Sequence, residues 1–461
     1  MKQLPLFSLA CLLVVCRVAH ADKVDAYIRQ QMKKQHIPGL SLAVVRNGKI
    51  VKAMGYGLAD VELNVSATPE TLYEIGSITK QFTATAVMMQ VEDGKIGIDD
   101  KISEYLSGLP DSWKDVTVRH LLTHTSGIKN FTAVPGFDKI TLAPATHDEV
   151  IKTVAAYPLE FKSGDKWSYS NTGYYLLGMI LEKASGKSYS DLLNDRIFKP
   201  LRMSATRIND LHAILRHRAG GYEWQEGALR RADFISMTWP YAAGALVSSV
   251  KDLAKWDAAL YSDRLVKMTS LQQMWTPVKL NNGSTSPYGF GWSVDKVKGH
   301  TYVSHGGGIP GFTSYIARYP DDRLTVIVLC NQMVDTGKIA GFVAGLYLPV
   351  VAPPTYESIG DKEPGVTAQI KRIVEQAADG IVDSALFVPD LASTMTADLK
   401  RGESDSLHRF GVLQSILLVE RRNEGDNRIY RYRLVYKETT LMTVCTFNKD
   451  NKIAGMTLKP E

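Results

Sequence analysis

Apolar and polar positions divide the chain into a strand-rich start, a helical middle and a strand-rich return. From Val24 to His36 apolar residues recur at helical spacing, which predicts an amphipathic helix. Two apolar runs follow, Leu40 to Arg46 and Lys49 to Met54, separated by Asn47-Gly48, the strongest short-range hairpin signal. Ala84, Val87, Met88 and Val91 then fall at i, i+3, i+4 and i+7, and Gly94 supplies a helix stop. Residues 99 to 215 read as mainly helical, with Val118 to Leu122, Asp148 to Ala156 and Tyr174 to Ala184 as examples. After a polar stretch (Glu223 to Asp233) and a helical pattern from Val250 to Tyr261, strands return. They are Tyr288 to Val294, Thr301 to Ser304, Phe312 to Tyr319 and Leu324 to Cys330, before a helix-like Lys338 to Leu348. This ordering predicts an α+β (α/β) fold: an antiparallel sheet built from both ends of the segment, flanked by helices, with an inserted helical lobe.

Beyond this block, residues 351–365 read as a linker. Residues 366–461 then predict a small α+β domain, with a helix from Val366 to Ala378 followed by strands. There Tyr430, Tyr432, Leu434 and Tyr436 alternate with Arg431, Arg433 and Val435 at period two, a strand with one buried face.

Composition changes this picture little. The chain has 461 residues, 45% hydrophobic and 22% charged, too long for a single core. Residues 1–21 read as a secretory signal: Lys2, an apolar run from Leu4 to Cys16, and the small-x-small pattern Ala19-His20-Ala21. A secreted or periplasmic protein is therefore expected, its first domain spanning 22–350. Loss of Lys2 and Arg17, with no acid lost, lowers the net charge from +6 to +4, spread without any dense Lys/Arg run. That gives no basis for nucleic-acid binding, and no later segment is apolar enough to span a membrane. Cys330 and Cys445 sit in apolar strand-like runs, which favours two buried thiols, with a cross-domain bridge as the alternative.

Candidate chemistry centres on Glu74 to Lys80. Ser77 and Lys80, three apart at a helix start, share one face, so an amine can activate the hydroxyl. Ser-x-x-Lys also occurs at Ser126, Ser163, Ser248 and Ser293, and the helical stripe behind Ser77 separates it from Ser126, Ser163 and Ser293. At Ser248, which also precedes a helical pattern, Lys251 reads as a solvated first-turn charge. Tyr169-Ser170-Asn171 lies in a polar loop before a helix; alone it reads as a helix cap with a packing tyrosine. His305-Gly306-Gly307-Gly308 lies at the end of a strand and alone reads as a bulge. Its literal Gly-x-Gly-x-x-Gly match is not a dinucleotide fingerprint, because Pro310 and a β-rich run follow in place of a helix. No Gly-x-Ser-x-Gly and no His-Glu-x-x-His occur, so neither a nucleophile elbow nor a catalytic metal is expected, and no cofactor.

Ser77-Ile-Thr-Lys80, Tyr169-Ser-Asn171 and His305-Gly-Gly307, in that order, resemble the three motifs of the serine β-lactamase and penicillin-binding D,D-peptidase superfamily. The likeness is to its class C and carboxypeptidase/esterase branch, over residues 23 to 350. Leu121 to Gly127 resembles a further stretch of these proteins, and the C-terminal domain is similar to cystatin-like folds. The resemblance implies Ser77 as nucleophile, Lys80 as its proton acceptor, Tyr169 as proton shuttle and Asn171 as the group orienting Lys80 and substrate. It implies an oxyanion hole from the backbone N–H groups of Ser77 and Gly308. His305 stands where β-lactamases carry a lysine, and His124 reads as structural. One departure follows: Gly306 and Gly308 replace hydroxyl residues that bind a substrate carboxylate, and the next hydroxyl is Thr313. The expected function is acyl transfer through Ser77 on an ester, D-amino-acid peptide or β-lactam, a cell-wall peptide among them. The rival is a binding or regulatory protein that has kept the fold and lost turnover.

Overall fold

Asn47 and Gly48 both adopt left-handed backbone, with φ of 52° and 71°. The predicted turn therefore forms, joining β1 (Gly39–Arg46) to β2 (Lys49–Asp60). The computed structural model describes residues 23–210, 212–354, 356–393, 407–408, 410–437 and 439–460. The signal sequence read over residues 1–21 lies outside them. Two units meet at Pro353 and Pro354.

The first unit carries a seven-stranded antiparallel sheet. After a helix α1 (residues 23–35), β1 and β2, it has β3 (Val65–Ser66), then α2 (Thr79–Glu92), α3 (Asn171–Ser185) and α4 (Val250–Ala259). The return consists of β4 (Ser293–Val297), β5 (His300–Ile309), β6 (Phe312–Tyr319), β7 (Leu324–Cys330) and α5 (Thr336–Tyr347). The strand order β4-β5-β6-β7-β1-β2-β3 places β1 beside β7, so both ends of the segment build one sheet. Alternation along β1 sorts its side chains to two cores. Leu40, Leu42 and Val44 pack with α1 and α5, while Ala43 and Val45 face the layer that holds α2. A strand buried on both faces reads as the continuous apolar run seen in the sequence.

Three expectations need correction. The helix behind Ser77 was expected to carry an apolar stripe, but residues 79–90 are buried all round because α2 runs through the middle of the larger core. Some of its polar groups are met by neighbours: Thr83 Oγ1 donates to the Ala242 carbonyl at 2.7 Å, and Gln81 Oε1 accepts from Trp256 Nε1 at 3.0 Å, whereas Gln81 Nε2 and Gln90 Oε1 are buried without a partner among the described residues. Tyr288 to Val294 does not form one strand. Gly289 and Gly291 bring the backbone against the Met274 and Lys80 carbonyls, where an added Cβ would lie 2.0 and 2.7 Å away. Pairing therefore begins only at Ser293. The glycines after His305 form no bulge and stay in β5, where Gly307 pairs with Ser314 and Gly308 with Thr313.

The second unit packs α6 (Pro364–Ala378) with a four-stranded antiparallel sheet, β8 (Leu413–Glu424), β9 (Asn427–Tyr436), β10 (Thr440–Phe447) and β11 (Ile453–Pro460). Ile370, Ile373 and Val374 of the helix share a core with Tyr430, Tyr432, Leu434 and Tyr436, the alternating face of β9. The helix starts two residues before the expected Val366, with Pro364 in its first turn. Cys330 and Cys445 are both buried free thiols, one in each unit.

Candidate active site

Ser77 sits in a single 3-10 turn, Gly76–Ile78, that runs into α2, so Lys80 falls in the first turn of the helix on the side facing Ser77. Gly76 makes this turn possible: its φ is 48°, and an added Cβ would come within 2.9 Å of Gly308 N on β5. The Lys80 Nζ lies 2.9 Å from Ser77 Oγ, 2.8 Å from Asn171 Oδ1 and 2.8 Å from the Ala243 carbonyl; the last two can only accept, so the two N–H bonds of a neutral amine go to them and its lone pair is left for the Ser77 hydroxyl. All three partners are neutral and Lys80 has no exposed surface, so desolvation holds its pKa well below the ordinary lysine range. That shift favours the neutral amine, the form in which Lys80 can take a proton from the serine hydroxyl. In two other Ser-x-x-Lys copies the lysine is taken by an acid, Lys129 by Glu160 and Lys251 by Glu70.

The second motif reaches the same point. Asn171 is the first residue of α3, following the cap residue Ser170, and its backbone N–H donates to Asn130 Oδ1 at 3.1 Å. The Tyr169 ring lies 4.8 Å from Lys80 Nζ, and its hydroxyl bonds to Ser77. Burial pushes the Tyr169 pKa up and the Ser77 contact partly offsets that, so Tyr169 is protonated at neutral pH.

His305 joins the cluster but faces away from it. The Gly306 carbonyl can only accept, so Nδ1 at 2.6 Å carries the proton, and Nε2 accepts from the Tyr288 hydroxyl at 2.8 Å. Desolvation, with the nearby Lys80 adding to it, lowers the His305 pKa to about 3. This position therefore supplies no cation, and neither ring nitrogen is free to meet a substrate. The hydroxyls further along are also committed: Thr313 Oγ1 donates to the Gln332 carbonyl and Ser314 Oγ to the Ile75 carbonyl, each at 2.8 Å. The latter bond, with Gly307 against Ile75, ties β5 and β6 to the nucleophile turn. Gly308 is exposed and lines the same cleft as Ser77 and Asn171.

Two site residues escaped sequence reasoning. Tyr288 comes from a glycine-rich loop with no spacing to link it to His305, and Asn130 carries no motif. His124 is structural, as expected, and it is buried beside the site. Its Nδ1 accepts the Ser170 N–H at 3.1 Å, its carbonyl accepts the Ser168 N–H at 2.9 Å, and its ring lies 4.3 Å from Tyr169 and 4.6 Å from Tyr288. The stretch Leu121 to Gly127 is thus a rail that holds the Tyr169 loop. Among the described residues no group of three or more His, Cys, Asp or Glu could hold a metal ion.

A serine at a helix start, a buried lysine beside it and a Tyr-x-Asn loop opposite form the site of a serine hydrolase of the β-lactamase and penicillin-binding type. The model of the Beta-lactamase family matches residues 24–343, and the chain belongs to that family. It is 34% identical over 322 residues to Penicillin-binding protein 4* of Bacillus subtilis (strain 168), covering 66% of this chain and 70% of that protein. It is 28% identical to Protein flp of Staphylococcus aureus (strain MW2), of whose length it spans 63%. Among solved structures, the octameric penicillin-binding protein homologue from Pyrococcus abyssi aligns with a TM-score of 0.65 at 26% identity, over 96% of this chain and 98% of that one. A D-stereospecific amidohydrolase from Streptomyces sp. aligns with a TM-score of 0.59 at 26% identity, over 71% and 98%.

Proposed function

We propose that the protein hydrolyses an ester or amide through an acyl-enzyme on Ser77, and that recognition does not depend on a substrate carboxylate. The observation that carries this is the fully buried Lys80 amine 2.9 Å from Ser77 Oγ, whose pKa desolvation lowers. In the proposed course, Ser77 Oγ attacks the carbonyl carbon and its proton passes to Lys80 Nζ. The carbonyl oxygen gains negative charge, stabilised by the N–H groups of Ser77 and Gly308, typically worth about 3–4 kcal/mol per donor. Tyr169 hands its proton to the leaving alcohol or amine as the C–O or C–N bond breaks and regains one from Lys80, which returns to the neutral amine. Water then attacks the acyl-Ser77 ester, gives up a proton to the same base, and the acid leaves as Ser77 regains its hydrogen.

The committed hydroxyls of Thr313 and Ser314 and the neutral His305 argue against a carboxylate-anchored substrate such as a penicillin or a D-Ala-D-Ala peptide. Neutral esters and amides of D-amino acids fit better. From the pattern of residues 1–21 we also propose secretion, which N-terminal sequencing of the mature protein at Asp22 tests. A fluorophosphonate probe tests the function. It should label the wild-type protein and not Ser77→Ala, and ester turnover surviving Ser77→Ala would sink the reading. A protein that has kept the fold without turnover would show neither label nor turnover.

A further inference from the structure

The cleft beside Ser77 has about 500 Å³ of space, within the range of about 300–1,000 Å³ typical of small-molecule sites. Ser77, Asn171 and Gly308 form its catalytic end. Its wall is aromatic: Phe131 and Phe137 stack with ring centres 5.5 Å apart, and Phe137 meets the edge of Trp239 at 5.8 Å. This wall is fixed to the start of α3. The Phe131 N–H donates to Thr172 Oγ1 at 3.0 Å, and neighbouring Asn130 holds the Asn171 N–H. Trp239 is pinned from behind by its Nε1–H donating to the Ala143 carbonyl at 3.0 Å.

At the mouth, Phe234 and Leu142 line the cleft and remain 53% and 56% exposed. Two large apolar side chains left in water at the rim of a catalytic cleft represent surface that an apolar ligand would cover. The charged residues lining the cleft are Asp138, Lys139 and Asp233, two acids against one base, all exposed. Such a rim gives a carboxylate no advantage.

We propose that this cleft is a specificity site for an uncharged apolar group, of phenyl or medium-chain alkyl size, carried by the ester or amide that Ser77 attacks. The proposal rests on the acyl-enzyme reading above and adds the class of group recognised. The same chemistry can stand on the acyl side or on the leaving-group side of the carbonyl, and the test separates them.

The test measures kcat/KM of the full chain on two series. One varies the acyl group (p-nitrophenyl acetate, butanoate, octanoate, phenylacetate). The other varies the alcohol (methyl, butyl and benzyl acetate). One series should rise at least ~tenfold from its smallest to its largest member, as methylenes entering an apolar site allow. That series identifies the side. Phe137→Ala and Phe234→Ala should each cut the rise at least ~threefold, while Ile214→Ala, a 97% exposed residue outside this cleft, should keep it. A terminal carboxylate on the longest member should abolish the gain. Flat series, or a rise that survives both phenylalanine substitutions, overturn the proposal. Fluorophosphonate labelling of Ser77 runs in parallel. A labelled enzyme with flat series refutes the apolar site alone, whereas no label and no turnover refute the acyl-enzyme reading with it.

Discussion

Tyr288 donates its hydroxyl to Nε2 of His305 across 2.8 Å, while the Nδ1–H of the same ring goes to the Gly306 carbonyl. With both nitrogens occupied, the imidazole is a neutral strut between a loop and β5. Tyr288→Phe leaves a buried acceptor without its donor, at a cost of about 1–3 kcal/mol. Calorimetry should show Tm lowered by several degrees, and an unchanged Tm would show that the strut carries no load.

Lys80 has to be neutral to accept the Ser77 proton, so kcat/KM is lost as pH falls through its pKa. Because desolvation lowers that pKa, the acid limb should lie well below the ordinary lysine value. Asn171→Asp puts a carboxylate where the neutral Oδ1 now sits 2.8 Å from Nζ, which favours the ammonium. The acid limb should then move up by about 1–3 pH units. A limb that stays in place or moves down contradicts Lys80 as the base.

Adjacent glycines of β5 should respond differently to alanine. At Gly307 a Cβ would lie 2.0 Å from the Ile75 carbonyl and 2.3 Å from Ser314 Oγ, forcing the strand off the nucleophile turn. At Gly308 the nearest atom would be Met333 Cε at 3.7 Å. Gly307→Ala should lose several kcal/mol of stability, in the range of severe overpacking, whereas Gly308→Ala should melt within a degree or two of wild type. Equal melting temperatures would refute the close packing of β5 on Ile75.

In the proposed mechanism His124 would act through Tyr169, whose ring it touches and whose loop it holds. His124→Phe keeps a ring of similar size and removes the acceptor for the Ser170 N–H. We expect kcat to fall about tenfold or more with KM changed little, since a displaced proton shuttle affects the chemical step. If kcat stays within twofold, the ring is merely packing.

The sequence made legible what rests on local spacing or chain order. Asn47-Gly48 announced the hairpin, and Ser77 and Lys80 needed only one helical turn to meet. The strand–helix–strand order foretold a sheet closed by β1 against β7. Features made by distant segments were not legible. Tyr288 reaches His305, and His124 reaches Ser170, only through the tertiary fold. The strand expected from Tyr288 is a loop because Gly289 and Gly291 press on carbonyls of other elements, and α2 shows no polar face because it is buried all round. The state of His305 was also hidden, since its charge depends on burial and on Tyr288.

Intact-protein mass spectrometry of the enzyme, acid-quenched during turnover of a p-nitrophenyl ester, tests the central claim most directly. Wild type should gain the mass of one acyl group, mapped by peptide sequencing to Ser77. Lys80→Met should acylate about 10²–10⁴-fold more slowly, and Ser77→Ala should show no adduct. Turnover without an adduct under conditions where deacylation is slowed, or an adduct that persists in Ser77→Ala, would contradict the account.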